Sequence, residues 1–159
     1  MKQIDFRSLR FSGIISSKTI PTSGTTDYLP EMLHSVAQKN IYNCYVRQDT
    51  QIPFMTMPDA IEAIINIMNI DKNKLNYNIY NVRAFSPTVK EFENELRNYF
   101  PDAKINYKLN TARQAMVDGW PMDIDDTCAK RDWNWSPKHN LNSGFSEYLI
   151  PEIKKMYSL

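Results

Sequence analysis

Ile61, Ile64, Ile65 and Met68 recur at the i, i+3, i+4, i+7 spacing of one helical face, and Pro58-Asp59 stands just before them as a start signal. This is the clearest helix in the sequence, and its stripe marks the face expected to be buried. It is preceded by Pro53-Phe54-Met55-Thr56-Met57, a short apolar run next to the helix, and followed by the strand pattern Asn78-Ile79-Tyr80-Asn81-Val82. Short strands and helices in alternation define an α/β chain.

The alternation extends in both directions. Ile4 to Phe11 alternates with period two and then meets Gly13, which reads as a strand running into a loop. Pro21-Thr22-Ser23-Gly24-Thr25-Thr26-Asp27 is rich in turn formers. Its hydroxyls and carboxylate suit the cap of a helix that starts near Asp27 or Tyr28 and carries Met32, Leu33, Val36 and Ala37. Tyr42, Cys44 and Val46 alternate as a short strand. Ser86-Pro87 reads as an N-cap and first-turn proline for a helix burying Val89, Phe92, Leu96, Tyr99 and Phe100. Pro101 stops that helix before the alternating Ile105, Tyr107 and Leu109. A short helix after Thr111 ends at Gly119-Trp120-Pro121, a loop that presents Trp120. Asp125-Asp126-Thr127 caps another short helix ending near Trp133 and Trp135, and Phe145, Leu149, Ile153 and Met156 mark a last amphipathic one. Met55, Met57 and Met68 read as core filler.

With 159 residues, 42% of them hydrophobic, the chain is long enough for one folding unit with its own core. Its net charge of +1 supplies no field to gather nucleic acid or acidic lipid. The longest apolar runs, Ala63-Ile64-Ile65 and Tyr148-Leu149-Ile150, fall far short of the roughly 20 residues that cross a bilayer. Met1-Lys2-Gln3-Ile4-Asp5 has no apolar core of a secretory signal, which points to an intracellular protein. Cys44 and Cys128 lack metal-ligand spacing and read as reduced thiols, so no metal is expected. His34 and His139 stand outside every motif, and neither is given a role.

The four glycines form no GxGxxG turn, so the chain carries no dinucleotide fingerprint. No lysine stands four residues after any tyrosine, so the Tyr-x-x-x-Lys pair is missing and no catalytic residue is assigned.

Phe6-Arg7-Ser8-Leu9-Arg10-Phe11-Ser12-Gly13-Ile14-Ile15-Ser16 resembles the strand that follows the catalytic tyrosine and lysine in L-threonine 3-dehydrogenases of the extended short-chain type. Gly24-Thr25-Thr26-Asp27-Tyr28, the stretch from Asp49 to Ala60, Gly119-Trp120-Pro121, Asp125-Asp126 and Asp132-Trp133-Asn134-Trp135 resemble that family in the same order. The resemblance covers about residues 5 to 150.

The resemblance implies the last strands of a Rossmann-like sheet and the small substrate-binding lobe of an extended short-chain dehydrogenase. It divides the chain into strand and loop over 1–20 and a lobe with interleaved strands and helices over 21–159. The reaction implied is oxidation of L-threonine to 2-amino-3-oxobutanoate with NAD, of which this chain holds the carboxyl-terminal substrate side and is inactive alone. Gly13 and Ile14 match the backbone that meets the nicotinamide carboxamide, and Ser12 stands where the family has proline, which frees φ and leaves the loop less pre-organised. Gly24, Thr25, Thr26 and Asp27 match the segment that meets the amino acid, with hydroxyls and N–H groups for its carboxylate and Asp27 for its ammonium. Trp120 matches the tryptophan that closes the pocket, and Gln51 replaces an arginine.

Two other readings stay open. One is a non-catalytic remnant or interaction module. The other is a piece of a nucleotide-sugar epimerase or dehydratase, whose diphosphate calls for converging arginines, with Arg47, Arg83 and Arg113 as candidates. Exposed strand edges and apolar surface predict self-association, a homodimer in the simplest case. The compartment implied is cytoplasmic, or mitochondrial in a eukaryote.

Overall fold

The computed structural model describes residues 4–159, and within them strands and helices alternate. The first half comprises β1 (Ser8–Phe11), β2 (Gly13–Ile15), α1 (Tyr28–Ala37), β3 (Tyr42–Cys44), β4 (Phe54–Thr56) and α2 (Met57–Asn69). Then come β5 (Ile79–Val82), α3 (Val89–Tyr99), β6 (Ile105–Tyr107), α4 (Thr111–Asp118) and α5 (Thr127–Trp133). The chain closes with α6 (Leu141–Ser143), a π-wound stretch (Gly144–Leu149) and α7 (Ile150–Tyr157).

All three named strand pairs are parallel: β1 with β5, β2 with β4, and β3 with β6. Parallel pairing needs crossovers, and the helices between paired strands supply them. Gly13 does not open a loop, as its punctuation implied, but starts β2. The chain changes partner at Ser12, whose N–H donates to the Val82 carbonyl at 3.2 Å while the next amide, Gly13, donates to Pro53 at 3.0 Å. A β-carbon at Gly13 would lie 2.6 Å from the Phe54 ring, so the close passage of β2 over Phe54 explains the glycine.

Helix α2 forms as expected but buries the other face. Ala60, Ala63 and Ile67 are buried, whereas Ile61, Ile64, Ile65 and Met68 are 50%, 43%, 47% and 70% exposed. Small residues let the helix axis come close to the neighbouring strands, and this decides the packed side over the bulkier stripe. Met68 is therefore not core filler, while Met55 is fully buried.

Three caps differ in detail from the sequence reading. The carboxylate of Asp27 makes no bond to α1 and instead accepts the amides of Thr22 (3.1 Å) and Gly24 (2.7 Å), bracing the preceding turn. Helix α3 is capped by Thr88 rather than Ser86, and Glu91 returns the bond to complete a capping box. At α5, Asp126 makes no side-chain cap, and Asp125 accepts the Thr127 amide at 2.8 Å.

The larger core joins α1, β3, α3 and α7 around Tyr28, Leu33, Phe92, Phe145 and Ile153. A second core gathers Met55, Ala63, Tyr80, Trp133 and Trp135 between α2, β5 and α5. His34 ties α1 to α7, its Nδ1 2.8 Å from the Tyr157 hydroxyl and its Nε2 3.2 Å from the Ser16 carbonyl. Among the described residues no helix is long and apolar enough to cross a membrane.

Candidate functional site

Beyond the carboxyl end of β1 lies a cavity of about 490 Å³, bordered by Phe11, Ser12, Gly13, Ile14, Thr26, Ile52, Pro53, Trp120, Pro121 and Ile124. Ligands of open α/β sheets bind at such strand ends. Four residues singled out from the sequence, Gly13, Ile14, Thr26 and Trp120, share this space. No charged side chain lines it, and beside the Trp120 indole its polar side chains are two hydroxyls, of Ser12 and Thr26.

Gly24, Thr25 and Asp27 do not border the cavity. Asp27 borders a smaller hollow of about 200 Å³, shared with Ser16, Thr22, Pro30 and Met57, and Ile14 borders both spaces. Both bonds of the Asp27 carboxylate run through Oδ2. The Tyr45 hydroxyl donates to the Gly24 carbonyl at 3.1 Å, and Arg113 donates to Ser23 while lying 4.2 Å over the Tyr45 ring. Ser23 holds a left-handed φ of 68°, so the turn is fixed from outside rather than by its own preference.

Trp120 is 43% exposed, whereas Trp133 and Trp135 are buried. It sits at the end of α4, whose last residue, Asp118, is gripped at two points by Arg47 (2.9 and 3.0 Å). Gln114 donates to Asp118 at 2.7 Å and accepts from the Arg47 amide at 2.8 Å, which completes the support. Trp120 and Pro121 also border a polar groove of about 440 Å³ that contains Arg47, Asp49 and Gln51. The Gln51 amide donates to the Ser86 carbonyl at 2.7 Å.

The three arginines do not converge. Arg47 pairs with Asp118 and Asp49, Arg83 with Asp123, and Arg113 with the Ser23 carbonyl and the Tyr45 ring. Away from the cavity, His139 is buried with Thr56 and Asp59: its Nδ1 is 3.0 Å from Thr56 Oγ1 and 3.1 Å from Asp59 Oδ2. Burial pushes the Cys44 thiol up to about 11, away from thiolate chemistry. Cys128 is also free.

No family model matches the chain. The mitochondrial L-threonine 3-dehydrogenase of Bos taurus is 35% identical over 139 residues, which are 87% of this chain and 37% of that protein. An uncharacterized epimerase/dehydratase of Staphylococcus haemolyticus is 36% identical over 153 residues, 96% of this chain and 48% of the relative. A monomeric L-threonine 3-dehydrogenase from a metagenome superposes with a TM-score of 0.89 at 35% identity, over 96% of this chain and 49% of its own.

The chain is similar to L-threonine 3-dehydrogenases and epimerase/dehydratases, as a piece of an extended short-chain dehydrogenase would be. It spans about half the length of the curated relatives it matches, in agreement with the carboxyl-terminal half of an L-threonine dehydrogenase or epimerase/dehydratase. Its strand pairs are accordingly part of a Rossmann-like arrangement.

Ser12 stands where the resemblance placed a proline. A proline there has no N–H and could not make the bond to Val82, so serine adds a tie between β1 and β5 where its greater freedom implied a looser loop. The sequence missed Phe11, Ile52, Pro53 and Ile124 as site residues. They meet because the strand changes partner at Ser12 and β4 then brings in the chain before Phe54, a relation that no linear spacing encodes.

Proposed function

We propose that this chain forms the substrate side of an NAD-dependent L-threonine 3-dehydrogenase, converting L-threonine to 2-amino-3-oxobutanoate, and that alone it turns nothing over. The observation that carries the reading is the uncharged cavity shared by Gly13, Ile14, Thr26 and Trp120 beside the Asp27 hollow. A flat apolar wall with two hydroxyls suits a nicotinamide ring and its neutral carboxamide. The orphaned Ser12 hydroxyl and the close backbone at Gly13 favour that fit, while the sequence has no glycine-rich turn for the diphosphate.

When bound, NAD would accept the hydride removed from C3 of the amino acid. This chain's residues position and shelter. Asp27 meets the ammonium group through the oxygen its turn leaves unused, the Thr26 hydroxyl faces the ligand, and the Trp120 ring keeps water from the reacting carbon. The sequence has no Tyr-x-x-x-Lys pair to supply an acid/base tyrosine, and this absence supports the reading that the chain by itself turns nothing over. The separate commitments of Arg47, Arg83 and Arg113 weigh against a nucleotide-sugar diphosphate.

Calorimetry with NAD and with L-threonine tests the reading, first on the chain alone and then mixed with the amino-terminal half of a related dehydrogenase. Threonine binding, or NADH formation on mixing, supports it. Silence in every arm leaves the non-catalytic remnant as the better account.

A further inference from the structure

Ser12 borders the main cavity, yet it is only 8% exposed and its Oγ is sealed from solvent with no hydrogen-bond partner among the described residues. A buried hydroxyl without a partner is uncommon, because each one forfeits the bonds that water gave it. Its backbone is not free to repair the loss: the Ser12 amide is bonded to Val82 and the Gly13 amide to Pro53. What remains is rotation about the Cα–Cβ bond, which has staggered minima separated by a low barrier.

The surroundings narrow what such a hydroxyl can meet. The wall offers Phe11, Ile52, Pro53 and Trp120 but no cation, so an anionic ligand group would lose hydration there without a counter-charge, whereas aromatic faces accept a flat pyridinium ring. A neutral amide with both donor and acceptor, carried on a flat ring, is the complement to the unpartnered Ser12 hydroxyl on an otherwise apolar wall.

We infer that Ser12 is a specificity-determining residue, its Oγ turning on binding to take the carboxamide of a nicotinamide nucleotide; this rests on the nicotinamide assignment made above. The hydroxyl then gains the partner it lacks, and the chain distinguishes a ring bearing the carboxamide from one without it.

The test uses nicotinamide mononucleotide and its analogue with hydrogen in place of the carboxamide, titrated into the full chain and followed by NMR at the Gly13 amide and the Trp120 indole. Ser12→Ala removes the hydroxyl and keeps the bond to Val82, and Ser12→Thr keeps both. The expected result is a preference of about tenfold for the carboxamide in the wild type and in Ser12→Thr, lost in Ser12→Ala. An unchanged preference in Ser12→Ala overturns the role of Ser12 and leaves the nicotinamide assignment standing. Failure of both nucleotides to bind any of the three proteins overturns that assignment and the inference with it.

Discussion

Arg47 and Asp118 meet through two parallel N–H···O bonds that fasten the loop after β3 to the end of α4, two residues before Trp120. Both side chains are about half exposed, so the pair governs geometry more than stability. Asp118→Ala is expected to leave the unfolding midpoint nearly unchanged and to free Trp120. Iodide quenching measures this directly, because Trp133 and Trp135 are buried and Trp120 is not. Unaltered quenching would show that Pro121 and the helix end hold the ring by themselves.

Gly13→Ala places a methyl 2.6 Å from the Phe54 ring, which is itself packed edge-on against Tyr28. Overpacking of this kind costs about 1–3 kcal/mol. Urea denaturation is expected to give a lower midpoint with the same slope, and a wild-type midpoint would mean that Phe54 moves aside freely.

Asp59 accepts the Lys138 amide at 2.8 Å, the Thr56 hydroxyl at 3.0 Å and the His139 ring at 3.1 Å, all at the start of α2. Asp59→Ala strips these buried groups of their common acceptor, and a loss of about 3 kcal/mol is expected. Thermal unfolding compared with an exposed control such as Glu62→Ala checks that the loss is local to this cluster.

Burial holds the His34 imidazole below its ordinary 6.5, and its geometry acts in the same direction. With Nε2–H donating to Ser16, Nδ1 is left to accept from the Tyr157 hydroxyl, and protonation would remove that acceptor. The unfolded chain therefore binds the extra proton more readily. This contribution to stability is complete above pH 6.5 and is lost as pH falls through the lower folded value. Its slope is at most about 1.4 kcal/mol per pH unit for one proton. Equilibrium unfolding between pH 7 and 5 should show it in the wild type and not in His34→Gln.

The exposed face of α2 is expected to drive self-association. Sedimentation of the wild type should show dimers or larger species at micromolar concentration, and Ile61→Lys/Ile65→Lys should shift the boundary to monomer with helicity intact. A wild type that sediments as a clean monomer removes the stripe as a contact surface.

The elements were largely legible in the sequence because each had a local cause. Pro58 and Asp59 announced α2, Pro101 ended α3, and Gly119 stopped α4. The face of α2 was misread because periodicity weighs side chains by hydrophobicity, while Ala60 and Ala63 win by letting the backbone approach. Gly13 was misread for a related reason: its absent side chain serves Phe54, a contact across 41 positions that no local pattern carries. The lining of the candidate cavity was legible where a motif named a residue, as with Thr26 and Trp120. It was hidden where the lining comes from strand pairing, as with Ile52 and Ile124.

Trp120 borders both the uncharged cavity and the Arg47 groove. A residue shared by two hollows ties their shapes together, so a change in its side-chain rotamer alters both. Occupants of the two spaces would then compete or cooperate without touching, through the attitude of a single indole.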